Sequence, residues 1–182
     1  MNLIYAINKY NFIGKNNELM YSFKEDMKFF KEKTTGNTLV FGFKTFYEIG
    51  KPLPNRKIIV IVDTKRKFKK LDNVIYVSSL DEAINYYNSH KFGELFICGG
   101  KTLYDNVLNN HLSCVNKIYE TLIDDLAIGS TAINPSKPNY FKPIYLNKKV
   151  DIDRISGKTK NLYFRIYENM EKSNWLILKR NI

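Results

Sequence analysis

The sequence is short of most residues that advertise a chemistry. Its two cysteines, Cys98 and Cys114, are too few and too irregularly placed for a disulfide framework or a zinc cluster, so a reducing, cytoplasmic setting is expected. Of the two histidines, His90 and His111, neither stands in any motif described below, and both read as surface residues. No apolar run is long enough to span a membrane. The N-terminal MNLIYAINKYNFIG is broken by Asn and Lys within a few positions, so no targeting segment is expected. There is no GxGxxG, so the ordinary dinucleotide fingerprint is absent, and no internal repeat is visible.

What remains is ordinary globular material. The 182 residues are 44% hydrophobic and 26% charged, which fits one domain over 1–182. Twenty-nine Lys and Arg against 18 Asp and Glu leave +11, a charge that suits either a polyanionic partner or the gathering of small anionic substrates. The frequent Lys, Asn, Ile and Tyr suggest codon bias as the source of part of this basicity. The one dense run, Lys65-Arg66-Lys67-Phe68-Lys69-Lys70, holds a single aromatic, fewer than a nucleic-acid stacking platform uses.

Runs rich in Ile, Val and Leu predict buried strands at Leu3–Ile7, Thr38–Phe41, Lys57–Val62, Val74–Val77, Glu94–Ile97 and Lys117–Ile123. Helical spacing occupies Phe23–Lys33, Thr45–Gly50, Leu80–Ser89 and Thr102–Leu108. This alternation predicts a single α/β domain: a central, mostly parallel twisted sheet with helices on both faces. Val150–Ser156 and Leu162–Glu168 alternate apolar and polar residues around Gly157, an antiparallel C-terminal hairpin. Asn169–Ile182 is then an extension, or its Trp175–Leu178 run is itself the last strand.

Three places carry chemistry. Ser22 and Glu25 have capping-box spacing, which starts a helix whose apolar stripe is Phe23, Met27 and Phe30. Asp26 falls inside that stripe, where a carboxylate has a raised pKa and can bind or protonate a polar ligand. Gly42-Phe43-Lys44-Thr45 and Gly99-Gly100-Lys101-Thr102 each end a strand and open a helix, so backbone amides there can approach the two ends of a dinucleotide.

In this order these residues resemble the dihydrofolate reductase family. The match runs through Ile13-Gly14-x4-Leu19-Met20-Tyr21-x4-Asp26-x3-Phe30-x3-Thr34, then Gly42-x2-Thr45-Phe46-x2-Ile49-Gly50-Lys51-Pro52-Leu53-Pro54-Asn55-Arg56 and Ile97-Cys98-Gly99-Gly100-x3-Tyr104. Tyr119-x-Thr121 and Gly129-Ser130-Thr131 extend it over most of 1–168. The family's usual Pro-Trp pair is Met20-Tyr21 here, so the tryptophan's water-mediated link to substrate passes to a tyrosine hydroxyl or is lost.

The resemblance implies hydride transfer from NADPH to C6 of dihydrofolate with a proton supplied at N5. Asp26 would grip the pterin and assist protonation, with Thr121 and Tyr21 beside it. Arg56 would pair with the α-carboxylate of the substrate's glutamate tail. Ile4, Tyr5, Met27, Phe30, Ile49, Leu53 and Cys98 would line the substrate. The cofactor would take Ala6, Ile13, Gly14, Met20, Gly42, Lys44, Thr45, Asp63, Thr64, Gly99, Gly100, Lys101, Thr102, Leu103 and Tyr104. A cis peptide would join Gly99 to Gly100. No metal is implied, and a monomer without nucleic acid or membrane is expected.

Phe43 and Asp63 replace residues that family members selecting NADPH use around the 2′-phosphate. They open the way to NADH, while Lys44, Lys65 and Arg66 can supply the missing charge. The rival readings are a riboflavin-pathway pyrimidine reductase, against which Asp26 with Arg56 argues, a basic nucleic-acid-binding protein, and a catalytically silent relative.

Overall fold

The computed structural model describes residues 1–16, 18–63 and 65–172; the expectations placed on Thr64 and on the Trp175–Leu178 run lie outside them. Along the chain come β1 (Asn2–Asn8), β2 (Phe12–Lys15), β3 (Glu18–Leu19), α1 (Lys24–Thr34), β4 (Thr38–Gly42), α2 (Phe43–Ile49), β5 (Lys57–Ile61) and β6 (Val74–Val77). There follow α3 (Leu80–Ser89), β7 (Leu95–Ile97), α4 (Lys101–Asn110), a 3-10 turn at Leu112–Cys114, β8 (Lys117–Ile123), β9 (Thr131–Ala132), β10 (Phe141–Ile152) and β11 (Thr159–Asn169).

Eight strands form one sheet in the order β10-β11-β8-β1-β7-β4-β5-β6. The six from β8 to β6 pair in parallel, whereas β11 runs antiparallel to both β8 and β10. Helices cover the parallel strands on both faces, which is why Leu39, Val40, Ile58, Ile59 and Val60 are completely buried with no polar alternation. Period-two geometry divides β1 between two cores. Leu3, Tyr5 and Ile7 pack with residues of α3 and α4, whereas Ile4 and Ala6 pack with Phe29 of α1 and Phe46 of α2.

From β1 the chain moves outward through β4, β5 and β6, then returns to insert β7 between β1 and β4 and to add β8 beyond β1. The order therefore reverses around β1 and β7. The crevice outside the carboxyl ends of strands at such a reversal is where open α/β sheets bind ligands.

Three expectations need correction. Helix α1 starts at Lys24 with Phe23 as its N-cap and no side-chain cap, so Ser22 and Glu25 form no capping box. Instead the Glu25 amide, one of the helix's orphan donors, donates to Asp151 Oδ2 on β10, and the Ser22 amide just before the helix donates to Asp153 Oδ1 in the turn after β10. The hairpin is longer than its alternation suggests, because β10 begins at Phe141 and passes a bulge between Pro143 and Tyr145, tolerable on an edge strand. A second sheet, β3-β2-β9, was not foreseen: its strands are two to four residues long, too short to show a period.

Candidate active site

Asp26 stands in the first turn of α1, where a carboxylate also suits the helix dipole. It is half-buried, and its partner is the hydroxyl of Thr121 on β8. Thr121 lies opposite Ala6 in the β1–β8 register and so shares the face of Ile4 and Tyr119. Burial raises the Asp26 pKa, and the Thr121 hydrogen bond pulls it back only in part. Around it Phe30, Ile49, Leu53 and Tyr21 are partly buried against the same core. The expected stripe is split: Phe23 is buried and Phe30 partly so, whereas Met27 is 56% exposed and Phe29, outside the expected stripe, is buried instead. Met27 lies about 100° around the helix from Asp26, at the stripe's margin.

Arg56 is brought alongside α1, its Nε donating to the Pro54 carbonyl at 3.0 Å and one guanidinium nitrogen to Thr34 Oγ1 at 3.3 Å. Cys98, at the end of β7, is buried, and burial pushes its thiol pKa up against the opposing charge of Arg56. Two expected residues carry their hydroxyls elsewhere. The Tyr5 side chain emerges on the opposite face of β1 from Ile4, where its hydroxyl donates to Glu120 Oε2 at 3.3 Å. The Tyr21 hydroxyl donates to Asp125 Oδ2 at 2.9 Å and accepts from Asn8 Nδ2 at 3.2 Å; burial and Asp125 push its pKa up to about 12.

The glycine turns meet at the sheet's switch point. Gly99 and Gly100 are joined by a cis peptide, and the Gly42 amide donates to the Gly99 carbonyl at 2.6 Å. A Cβ on Gly100 would come within 2.6 Å of Thr45 Oγ1, so the two turns touch through backbone and hydroxyl. Helix α4 has no side-chain cap, and the Lys101 ammonium is held by Asp105 at 2.6 Å and the Ala132 carbonyl at 2.8 Å. Thr102 is exposed and Leu103 buried, while the Tyr104 hydroxyl donates to the Ile4 carbonyl at 2.6 Å, tying α4 to β1. Met20 lies against Gly129: a Cβ there would come within 2.5 Å of its sulfur and of the Gly14 carbonyl. Ile13 is partly buried nearby in β2.

On the outer side of Gly42 the Arg66 guanidinium sits over the Phe43 ring, 4.5 Å from its centroid. The Asp63 carboxylate accepts from the Lys65 amide at 2.9 Å, a turn that presents Arg66 beside α2. Phe68, the aromatic of the basic run, packs on Phe43 and Tyr76 with centroids 5.0 and 4.9 Å away. Sequence reasoning missed Asp125, Asp151 and Asp153, which no local motif marks.

The reversal of strand order, the joined glycine turns and the half-buried Asp26 beside Thr121 are the architecture of a dinucleotide-dependent oxidoreductase. The dihydrofolate reductase family profile matches residues 1–169. The chain is 30% identical to the dihydrofolate reductase of Buchnera aphidicola subsp. Baizongia pistaciae over 175 residues, 94% of this chain and 98% of the relative. It is 33% identical to that of Haemophilus influenzae over 129 residues, 71% of this chain and 75% of the other. A solved dihydrofolate reductase from Enterococcus faecalis, complexed with NADP(H) and RAB-propyl, superposes with a TM-score of 0.75 at 28% identity, covering 92% and 95% of the two chains. The chain belongs to the dihydrofolate reductase family. No helix among the described residues is long and apolar enough to cross a membrane.

Proposed function

We infer that the protein reduces 7,8-dihydrofolate to 5,6,7,8-tetrahydrofolate with NADPH, and we propose Asp26 as the group that holds the pterin and manages the proton at N5. One observation carries the assignment: Asp26 is half-buried, has Thr121 as its one side-chain partner among the described residues, and is held above the ordinary carboxylate range by its burial. In that state it can bind the N3 and 2-amino hydrogens as a carboxylate and pass a proton inward as an acid. Ile4, Met27, Phe30, Ile49 and Leu53 would form the apolar walls, and Arg56, steadied by Pro54 and Thr34, would take the tail carboxylate. Tyr21 gives its hydroxyl to Asp125, so its ring shapes the wall while the polar link to substrate falls to Thr121.

The residues present fit the cofactor. The contact between Gly100 and Thr45 leaves no room for a side chain, and the uncapped α4 offers its first amides to a phosphate. When bound, NADPH supplies the hydride. Gly42, Thr45, Gly99, Gly100 and Thr102 would hold its pyrophosphate portion, with Ala6, Ile13, Gly14 and Met20 toward the ring. Arg66, stacked on Phe43, offers the cation for a 2′-phosphate that the residue types at 43 and 63 lack. NADPH is therefore preferred over NADH by a modest margin. Arg66→Met should raise the KM for NADPH about tenfold and leave that for NADH unchanged, a loss of one charge-assisted contact. Equal changes for both would remove Arg66 from the phosphate site.

On the same reading 1–182 is one domain working as a cytoplasmic monomer, consistent with two unpaired cysteines. The basic run offers no stacking platform to support a nucleic-acid partner, since its one aromatic, Phe68, packs on Phe43 and Tyr76. The test is loss of NADPH absorbance on mixing purified protein with dihydrofolate; no loss at micromolar enzyme overturns the assignment.

A further inference from the structure

We propose that three carboxylates outside the reacting site, Asp125, Asp151 and Asp153, form a collar that positions Asp26 by holding the residues just before it. The inference rests on Asp26 being the proton-handling group. Between Tyr21 and Glu25 the chain is gripped at four points. The Tyr21 hydroxyl donates to Asp125 Oδ2 at 2.9 Å. The Ser22 amide donates to Asp153 Oδ1 at 2.9 Å, and the Ser22 carbonyl accepts from the Arg154 amide at 2.9 Å. The Glu25 amide donates to Asp151 Oδ2 at 2.8 Å.

The anchors are themselves fixed. Asp153 is 1% exposed and accepts further bonds from the Ser156 hydroxyl at 2.6 Å and the Ser156 amide at 3.1 Å. Asp125 accepts from Lys160 Nζ at 2.8 Å and the Leu126 amide at 3.0 Å. Burial pushes both carboxyls up, but these hydrogen bonds outweigh it and leave them below the ordinary range, so they stay ionised at neutral pH. All three belong to β10, its turn and the loop after β8, the part of the sheet that also carries Thr121.

Asp26 is therefore fixed twice from one side: its carboxyl by Thr121, its backbone by the collar. Because α1 has no side-chain cap of its own, the Asp151 carboxylate supplies what its first turn lacks. A rotation of that turn would move the acid relative to the pterin, and displacements of about 1 Å can cost on the order of 10²-fold in rate. These are positioning residues; none is assigned a contact with substrate.

The test compares Asp151→Ala, which removes the acceptor, with Asp151→Asn, which keeps an oxygen there, in the full chain. Two quantities are read: kcat with the KM for NADPH, and the Asp26 titration midpoint by carbon NMR of the ligand-free protein. Thr121 on β8 and the Tyr104 phenol on α4 are the groups that sense Asp26. Asp151→Ala should lower kcat about tenfold, leave the KM for NADPH within about twofold, and drop the midpoint toward the ordinary value as water reaches the acid. Asp151→Asn should stay within about twofold of the parent on both. A folded Asp151→Ala protein with parental kcat and midpoint overturns the collar, as does an Asn variant impaired as severely as the Ala variant. Should Asp151→Ala fail to fold, Tyr21→Phe removes one grip while sparing every backbone bond. A drop of about threefold in kcat with the midpoint moving down is then expected, and no change in either overturns the proposal. The midpoint requires no turnover. A parent protein inactive on dihydrofolate whose midpoint still responds to Asp151 overturns the folate reading alone.

Discussion

Glu120 and Asp26 both bring a carboxylate to β8 from inside the protein, Glu120 from the strand toward the α3 and α4 face, Asp26 from α1 toward the opposite face. Glu120 is 2% exposed and richly matched: Lys137 Nζ at 2.6 Å, an Arg165 guanidinium nitrogen at 3.5 Å and the Tyr5 hydroxyl at 3.3 Å. Asp26 has one hydroxyl, Thr121, and among the described residues no cation within ion-pair distance. Folding alone rewards the first arrangement, since a buried charge without partners costs free energy. The second is retained at a cost, and what that cost yields is a carboxyl poised nearer to holding its proton. Adjacent residues of β8, Glu120 as an acid and Thr121 as the partner of an acid on α1, thus serve stability and chemistry through opposite treatments of the same functional group.

The sharpest way to break the contrast is Asp26→Asn, which removes the proton site while keeping the shape. Turnover at pH 7 should fall on the order of 10²- to 10³-fold with an unchanged circular dichroism spectrum. Near-parental activity would separate Asp26 from the chemistry. The same variant reports on stability. Folding raises the Asp26 pKa above its ordinary 3.8, so the native state binds that proton more tightly than the unfolded chain does. Stability is therefore lost as pH rises through the ordinary value toward the raised one, then stays level. The Asp26→Asn protein escapes that loss and should melt higher than the parent at pH 7, the two converging in acid.

Glu120→Gln is the reciprocal test. It leaves Lys137 and Arg165 without their counter-charge, and because both side chains keep some exposure, 18% and 32%, the destabilisation should be about 2–3 kcal/mol in urea denaturation. Rate per folded molecule should hold. The smallest effect is expected from Thr121→Val, which strips Asp26 of its hydrogen bond from the Thr121 hydroxyl. Since that bond lowers the pKa, its loss should move the pH midpoint of kcat upward and change kcat at pH 7 only about threefold.

Much of this contrast could be read along the chain and part could not. The limits of β6, α3 and β8 match their sequence expectations end to end, because short apolar-rich runs define the two strands and a true local cap starts the helix. At α3 the Ser79 hydroxyl accepts from the Glu82 amide and the Glu82 carboxylate accepts from Ser78, so capping spacing and capping geometry agree. The same spacing at Ser22 misleads, since acceptors from Asp151 and Asp153, 126 and 131 residues away, take over. Asp26, Arg56 and the glycine turns were legible because motifs of local spacing carry them. The collar was not, nor the turning of Tyr5 to the far face, because strand pairing decides both. Arg66 was visible as a charge, but its seat on Phe43 needed the turn at Asp63.

The most direct test of the unmatched acid is the single-turnover rate of NADPH oxidation by the dihydrofolate complex, followed across pH for the parent and Asp26→Asn. The parent rate should fall as pH rises through a midpoint above the ordinary aspartate value, while the variant is slow and shows no such fall. A parent rate that ignores pH over this range, or a variant that falls through the same midpoint, would contradict the role given to Asp26.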